Sequence, residues 1–194
     1  MVELCYCFIS IKLIMSDHST SIVPRESFYP DKEIKAKEIV EWLVSLDIVK
    51  PTLSDCVLSS NEGYAISNGA ELVSTEPELL PFDFGVNGLE IITERQVFHT
   101  GQYGMEELIC PSCKQDIANE DLNFLSEWDN NQSNNITCPL CKVATDIHQF
   151  KFRPHWGFSD LGFIFWNWSP FTEKFIKDFE QKLGCDIDLV LTWI

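Results

Sequence analysis

Two short cysteine pairs constrain this chain more than any other feature: Cys110-Pro-Ser-Cys113 and Cys138-Pro-Leu-Cys141, with residues 114–137 between them. Two thiolates spaced this way converge when the loop folds into a tight knuckle with its backbone N–H groups turned towards the sulfurs. Two knuckles then supply four soft ligands for a tetrahedral metal, with zinc as the expected ion. Four protein thiolates leave no open position for a reactive water, so the set reads as a single structural Zn²⁺ held by Cys110, Cys113, Cys138 and Cys141. The spacer exceeds the 15–20 residues common in such sites. An insert explains this, with a short helix over Ala118–Trp128 and a polar loop over Asp129–Asn135. Iron takes the same ligands. A thioredoxin-like redox pair, which needs one C-x-x-C at a helix N-terminus, and four free thiols are the competing readings.

The remaining cysteines, Cys5, Cys7, Cys56 and Cys185, have no framework spacing. No secretory signal is recognisable: Glu3 precedes the apolar run, Lys12 interrupts it, and no small-residue cleavage site follows. Metal binding in a reducing cytosol is therefore expected over a disulfide scaffold. Met15 opens the polar stretch MSDHSTS, so residues 1–15 are read as a non-native or disordered extension and Met15 as the expected start.

Charge narrows the partners. The chain has 30 acidic and 14 basic side chains, a net charge of −16. Duplex nucleic acid draws its affinity mainly from Lys and Arg, so nucleic acid is not the expected ligand. Between Pro51 and Glu94 there are eight Asp or Glu and no Lys or Arg. That stretch reads either as a solvated face or as an acidic surface for a basic partner. The candidate contacts are Glu62, Glu71, Glu76, Glu78 and Asp83. Trp166 and Trp168, in an aromatic run with no Lys or Arg between Arg153 and Lys174, are candidate apolar anchors; core packing is the competing role.

The expected fold is α+β. Residues 16–30 read as a polar lead-in. Ile34, Ala36, Ile39, Val40, Leu43 and Val44 recur at helical spacing after Asp31 as N-cap, and Lys50-Pro51 closes that helix. Short runs at Cys56–Leu58, Tyr64–Ile66, Glu71–Val73, Leu89–Thr93 and Gln96–His99, punctuated by Asn68-Gly69 and Asn87-Gly88, predict antiparallel strands. Towards the C-terminus, His148–Arg153 and Leu161–Trp168 read as strands. Pro170–Leu183 reads as a helix ended by Gly184, and Asp186–Trp193 as a last strand. The parts are 16–104 (α+β), 105–146 (zinc-knuckle segment) and 147–194 (aromatic-rich strand–helix–strand).

CPSC and CPLC resemble the knuckles of zinc-ribbon proteins, whose members are mostly nucleic-acid-binding or protein-binding modules. The resemblance covers residues 110–141. It departs from the nucleic-acid-binding members because Lys114 and Lys142 are outnumbered by five acidic residues within the segment. The stretches NGLEIITERQVFHTGQYG and FRPHWGFSDLGFIFWNW resemble a group of uncharacterised bacterial soluble proteins, which implies a bacterial, soluble chain and no firm activity. No G-x-x-x-x-G-K-[ST], G-x-S-x-G or H-E-x-x-H pattern is present.

No catalytic residue is assigned. His99 and His155 lining one pocket would mark an enzyme carrying a structural zinc. A basic face on the folded chain would mark a zinc-ribbon accessory of transcription or RNA metabolism. The expectation that best fits the residues is an acidic, zinc-stabilised protein-binding module of the bacterial cytosol, in one concrete version neutralising a basic toxin.

Overall fold

A run such as Phe163-Ile164-Phe165-Trp166 has no polar side to offer water, so a strand built from it must be covered on both faces. The computed structural model describes residues 16–59, 61–121, 123–130 and 133–194; the reading of residues 1–15 and Met15 lies outside them. Along the chain come β1 (His18–Pro24), α1 (Lys32–Ser45), β2 (Val49–Ser54), β3 (Gly63–Ile66), β4 (Gly88–Ile92), β5 (Gln96–Phe98) and β6 (Glu107–Ile109). Then follow α2 (Asn123–Asp129), β7 (Asn135–Thr137), β8 (Ala144–Asp146), β9 (Lys151–Arg153), β10 (Gly157–Ser159), β11 (Gly162–Trp166), α3 (Glu173–Leu183) and β12 (Ile187–Trp193).

Six strands form one sheet in the order β12-β1-β11-β4-β3-β2, each neighbouring pair antiparallel. The fold is α+β, and its C-terminal part is a strand–helix–strand, as expected. One face carries Ile22, Leu89, Phe163 and Phe165 under Ile39 and Leu43 of α1 and Phe175, Phe179 and Leu183 of α3. Aromatic edges tie this core together: Phe179 meets Phe163 edge-on at 5.1 Å, and Trp42 bridges the helices to Phe175 and Phe179. The opposite face, with Val23, Ile164, Trp166 and Val190, packs under Phe98, Cys56 and Val57. Close approach there requires glycine: a Cβ on Gly162 would sit 2.2 Å from the Phe98 ring, and one on Gly88 would sit 2.2 Å from the Cys56 sulfur.

Several expectations need correction. The polar lead-in is strand β1, inserted between β11 and β12. Its Ser19 and Ser21 are buried, at 2% exposure each, on the face opposite α1 and α3. Cys56–Leu58 is not a strand, and Asn68–Leu72 is a 3-10 turn rather than a hairpin leading to a strand at Glu71–Val73. The chain after α1 turns straight into β2, which tolerates Pro51 because it is an edge strand. Residues 147–149 are a 3-10 turn ahead of β9. Asp31 precedes α1 with a left-handed backbone (φ 49°) and makes no side-chain cap, and Ile34 points to water. Trp166 and Trp168 are buried, at 7% and 1% exposure, and so are withdrawn from any surface. Their indoles donate inwards, Trp166 to Glu90 and Trp168 to the Asn87 carbonyl.

Candidate metal centre

Each knuckle has the same local construction. The first follows β6; the second joins β7 to β8. The residue after each pair, Lys114 or Lys142, has φ of 62°, which reverses the backbone. Its N–H then donates to the carbonyl of the first cysteine, at 3.0 Å for Lys114 to Cys110 and 2.9 Å for Lys142 to Cys138. Each lysine ammonium folds back onto the proline carbonyl of its own knuckle, Pro111 or Pro139. The two lysines are thus turn-closing residues at the exposed edge of the site, not a basic patch. The strand pairs β6–β9 and β7–β8 hold the knuckles in place.

The tertiary structure brings the four predicted ligands together. The sulfurs of Cys110, Cys113, Cys138 and Cys141 all lie within 4.8 Å of one another. Cys110–Cys141 and Cys113–Cys138 are each 3.9 Å apart. A tetrahedral zinc with bonds of about 2.3 Å requires sulfurs roughly 3.8 Å apart, so the donor set fits one such ion. Cys110 and Cys138 are fully buried and Cys113 and Cys141 partly so. Burial opposes ionisation of Cys110, but the Cys113 and Ser112 N–H groups and the neighbouring thiols outweigh it and bring the thiol down to about 7. At Cys113 the Gln115 N–H is outweighed by burial and the same cluster of thiols, which push it up to about 11, so the cluster shares its protons. Thiolate character at the innermost ligand suits capture of a cation. With four thiolates closed around it, the site can hold a metal and brace the fold; it offers no open position for substrate.

Around the cluster lies a second core of Leu108, Ile117, Trp128, Ile136, Ile147, Phe150, Phe152 and Phe158. The expected insert helix is present but shorter, as α2, and it delivers Trp128 to that core. Asp116 replaces backbone pairing near the first knuckle by accepting from the Leu108 and Ala118 N–H groups.

Sequence reasoning missed Arg95, which joins this segment to the main sheet. Its guanidinium lies 3.8 Å over the Trp128 ring and donates to the carbonyls of Trp128, Ser27 and Ser133 and to the Asn134 side chain. Ser27 receives the Trp128 indole and pairs with His148 Nε2. Nothing in sequence spacing announces such a clamp, because three of its acceptors are backbone carbonyls.

The other candidates disperse. Glu62, Glu71, Glu76, Glu78 and Asp83 are all exposed. His99 lines a cavity beside Ser19 and Glu90. His155 lines a different groove with Arg25, His148, Lys151 and Arg153. The two histidines that would have marked an active site therefore line different cavities. In the groove, Arg25 pairs with Asp188 and Arg153 with Glu107, so two of its three permanent cations are already neutralised. No helix among the described residues is long and apolar enough to cross a membrane. No family model, no curated protein and no solved structure matches this chain, so the chemistry of the site carries the functional argument.

Proposed function

We propose that this chain is a zinc-stabilised protein-binding module whose acidic surface receives a basic partner, such as a toxin, in the bacterial cytosol. The supporting observation is the composition of residues 55–84. Asp55, Glu62, Glu71, Glu76, Glu78 and Asp83 are exposed there, and Leu72 and Leu79, at 83% and 62% exposure, stand among them with Phe82 and Phe84. No Lys or Arg interrupts the stretch. Exposed apolar side chains among polar residues are a mark of interaction surfaces. The apolar anchors come from Leu72, Leu79, Phe82 and Phe84, in place of the buried tryptophans.

The test is capture from native lysate with and without nuclease, followed by a salt series on the purified pair. A nuclease-resistant basic protein should be retained, and its affinity should fall as salt rises, because screening shortens the reach of the acidic field. Reversing Glu76 and Glu78 to Lys should weaken it further. Salt-independent binding would remove the electrostatic part of the proposal. Recovery lost on nuclease treatment would favour the zinc-ribbon accessory of transcription or RNA metabolism, for which the groove of Arg25, Lys151 and Arg153 is the one supporting feature.

A further inference from the structure

Three carboxylates are buried among the described residues: Glu90, Asp160 and Asp188, exposed by 3%, 3% and 7%. A buried charge is costly unless a cation or strong donors compensate it. Asp160 has the Lys32 ammonium at 3.0 Å and Asp188 has Arg25 at 3.6 Å. Glu90 has no Lys, Arg or His within ion-pair distance among the described residues. Its contacts are neutral: Ser59 Oγ at 2.7 Å and Asn61 Nδ2 at 3.2 Å on Oε1, and Trp166 Nε1 at 3.0 Å on Oε2. A carboxylate has about four lone-pair sites, so these three neutral donors leave acceptor capacity free, with no cation paired to the group among the described residues.

Glu90 also lines a cavity of about 340 Å³ on the sheet face opposite α1 and α3. The strand register explains the composition of its floor. Ser21 pairs with Ile164, which pairs with Glu90, so the serine and the carboxylate share one cross-strand row. Ser19 pairs with Trp166 in the adjacent row. Both serines are 2% exposed and both line the cavity. β1 therefore carries two hydroxyls where a closed sheet face would carry aliphatic side chains; Ile164 and Trp166 of β11 lie between them and Glu90, so the hydroxyls line one side of the cavity and the carboxylate the other.

We infer that this cavity binds a small organic amine, its alkylammonium N–H groups donating to Glu90 and its short carbon chain lying towards Ser19 and Ser21. The volume lies at the low end for ligand sites, which suits an amine of a few carbons. The inference stands on the cavity and does not rest on the acidic surface of residues 55–84. The same head group could come from a lysine side chain of a docked protein, so both sources enter the test.

The experiment follows the Trp166 indole ¹⁵N–¹H signal of the full chain during titration. The probes are n-butylammonium, Nα-acetyl-lysine-methylamide and tetramethylammonium, the last having the charge but no N–H donor. Butylammonium should shift the signal saturably, and tetramethylammonium should not. A shift with the lysine amide alone would keep the site and assign its source to a protein. Glu90→Gln should weaken binding about ten- to a hundredfold, the worth of one charged hydrogen bond. Ser21→Leu should abolish binding by filling the floor without touching the three bonds to Glu90. No shift with either amine in the wild-type chain, or an equal shift with tetramethylammonium, would overturn the inference even if a variant failed to fold. So would undiminished binding by folded Glu90→Gln and Ser21→Leu proteins.

Discussion

Single residues carry the joints of this protein. Cys138 is buried, and the sulfur of Cys113 lies 3.9 Å from its own. Cys138→Ser should therefore abolish stoichiometric zinc uptake, read by atomic emission. Amide exchange should rise across β6–β9 while the six-stranded sheet stays protected. The size of the effect follows from structural zinc, which contributes about 10–16 kcal/mol to folding of small zinc-finger peptides. Arg95 is the joint between the two cores. Arg95→Ala removes four hydrogen bonds and the stacking contact with Trp128. Charged hydrogen bonds are worth about 1.5–3 kcal/mol, less where water reaches them, so a net loss of about 2 kcal/mol is expected. Differential scanning calorimetry should show a fall in Tm of about 4–8 °C.

Elements hold by a different balance. α3 is an amphipathic helix with a complete set of end signals. Thr172 Oγ1 accepts from the Phe175 N–H at 3.2 Å, Glu173 lies in the first turn, and Gly184 closes the helix at φ 79°. Thr172→Ala should cost about 1 kcal/mol. Phe179, fully buried among Phe163, Phe165, Phe175 and Trp42, should cost about 3–5 kcal/mol as Phe179→Ala. Urea unfolding measures both, and the contrast between them separates helix capping from core packing. α1, by comparison, has no side-chain cap, and its place is fixed by packing on α3 and the sheet.

At the scale of the whole molecule, the contact between the sheet and the metal segment should make stability depend on pH. His148 sits in that contact with its Nδ1 buried and unpartnered among the described residues. Burial, with Arg25 and Arg95 nearby, holds its pKa below the usual value, against the pull of Asp146. The folded state thus resists a proton that the unfolded chain accepts from about pH 6.5 downwards. Stability is then full above pH ~6.5 and declines as pH falls through the folded pKa. Acid would also release any metal held by the four cysteines, so the informative quantity is the difference between wild type and His148→Gln. The wild type should lose more stability than the variant between pH 7 and the folded pKa, as read by Tm at each pH.

Much of this was legible from local pattern. The knuckles could be read because a C-x-x-C turn is closed by its own backbone, α3 and β12 because their periodicity matches their burial, and β11 because its unbroken apolar run is buried on both faces. β1 could not: Ser19 and Ser21 look like loop residues, and they are tolerated in a central strand because a cavity, not a packed layer, faces them. The surface role for Trp166 and Trp168 failed because an aromatic run reads the same buried or exposed, and only Glu90 and the Asn87 carbonyl show which way the indoles face. By itself, then, the sequence determined the four cysteines that cluster, the α+β class and the acid-rich composition of residues 51–94, since each depends on residue type and short spacing. The tertiary structure alone decided the insertion of β1 between β11 and β12, the clamp at Arg95 and the burial of Glu90 with no cation partner among the described residues. Each of these depends on which groups meet across long stretches of chain, and neither composition nor periodicity records that.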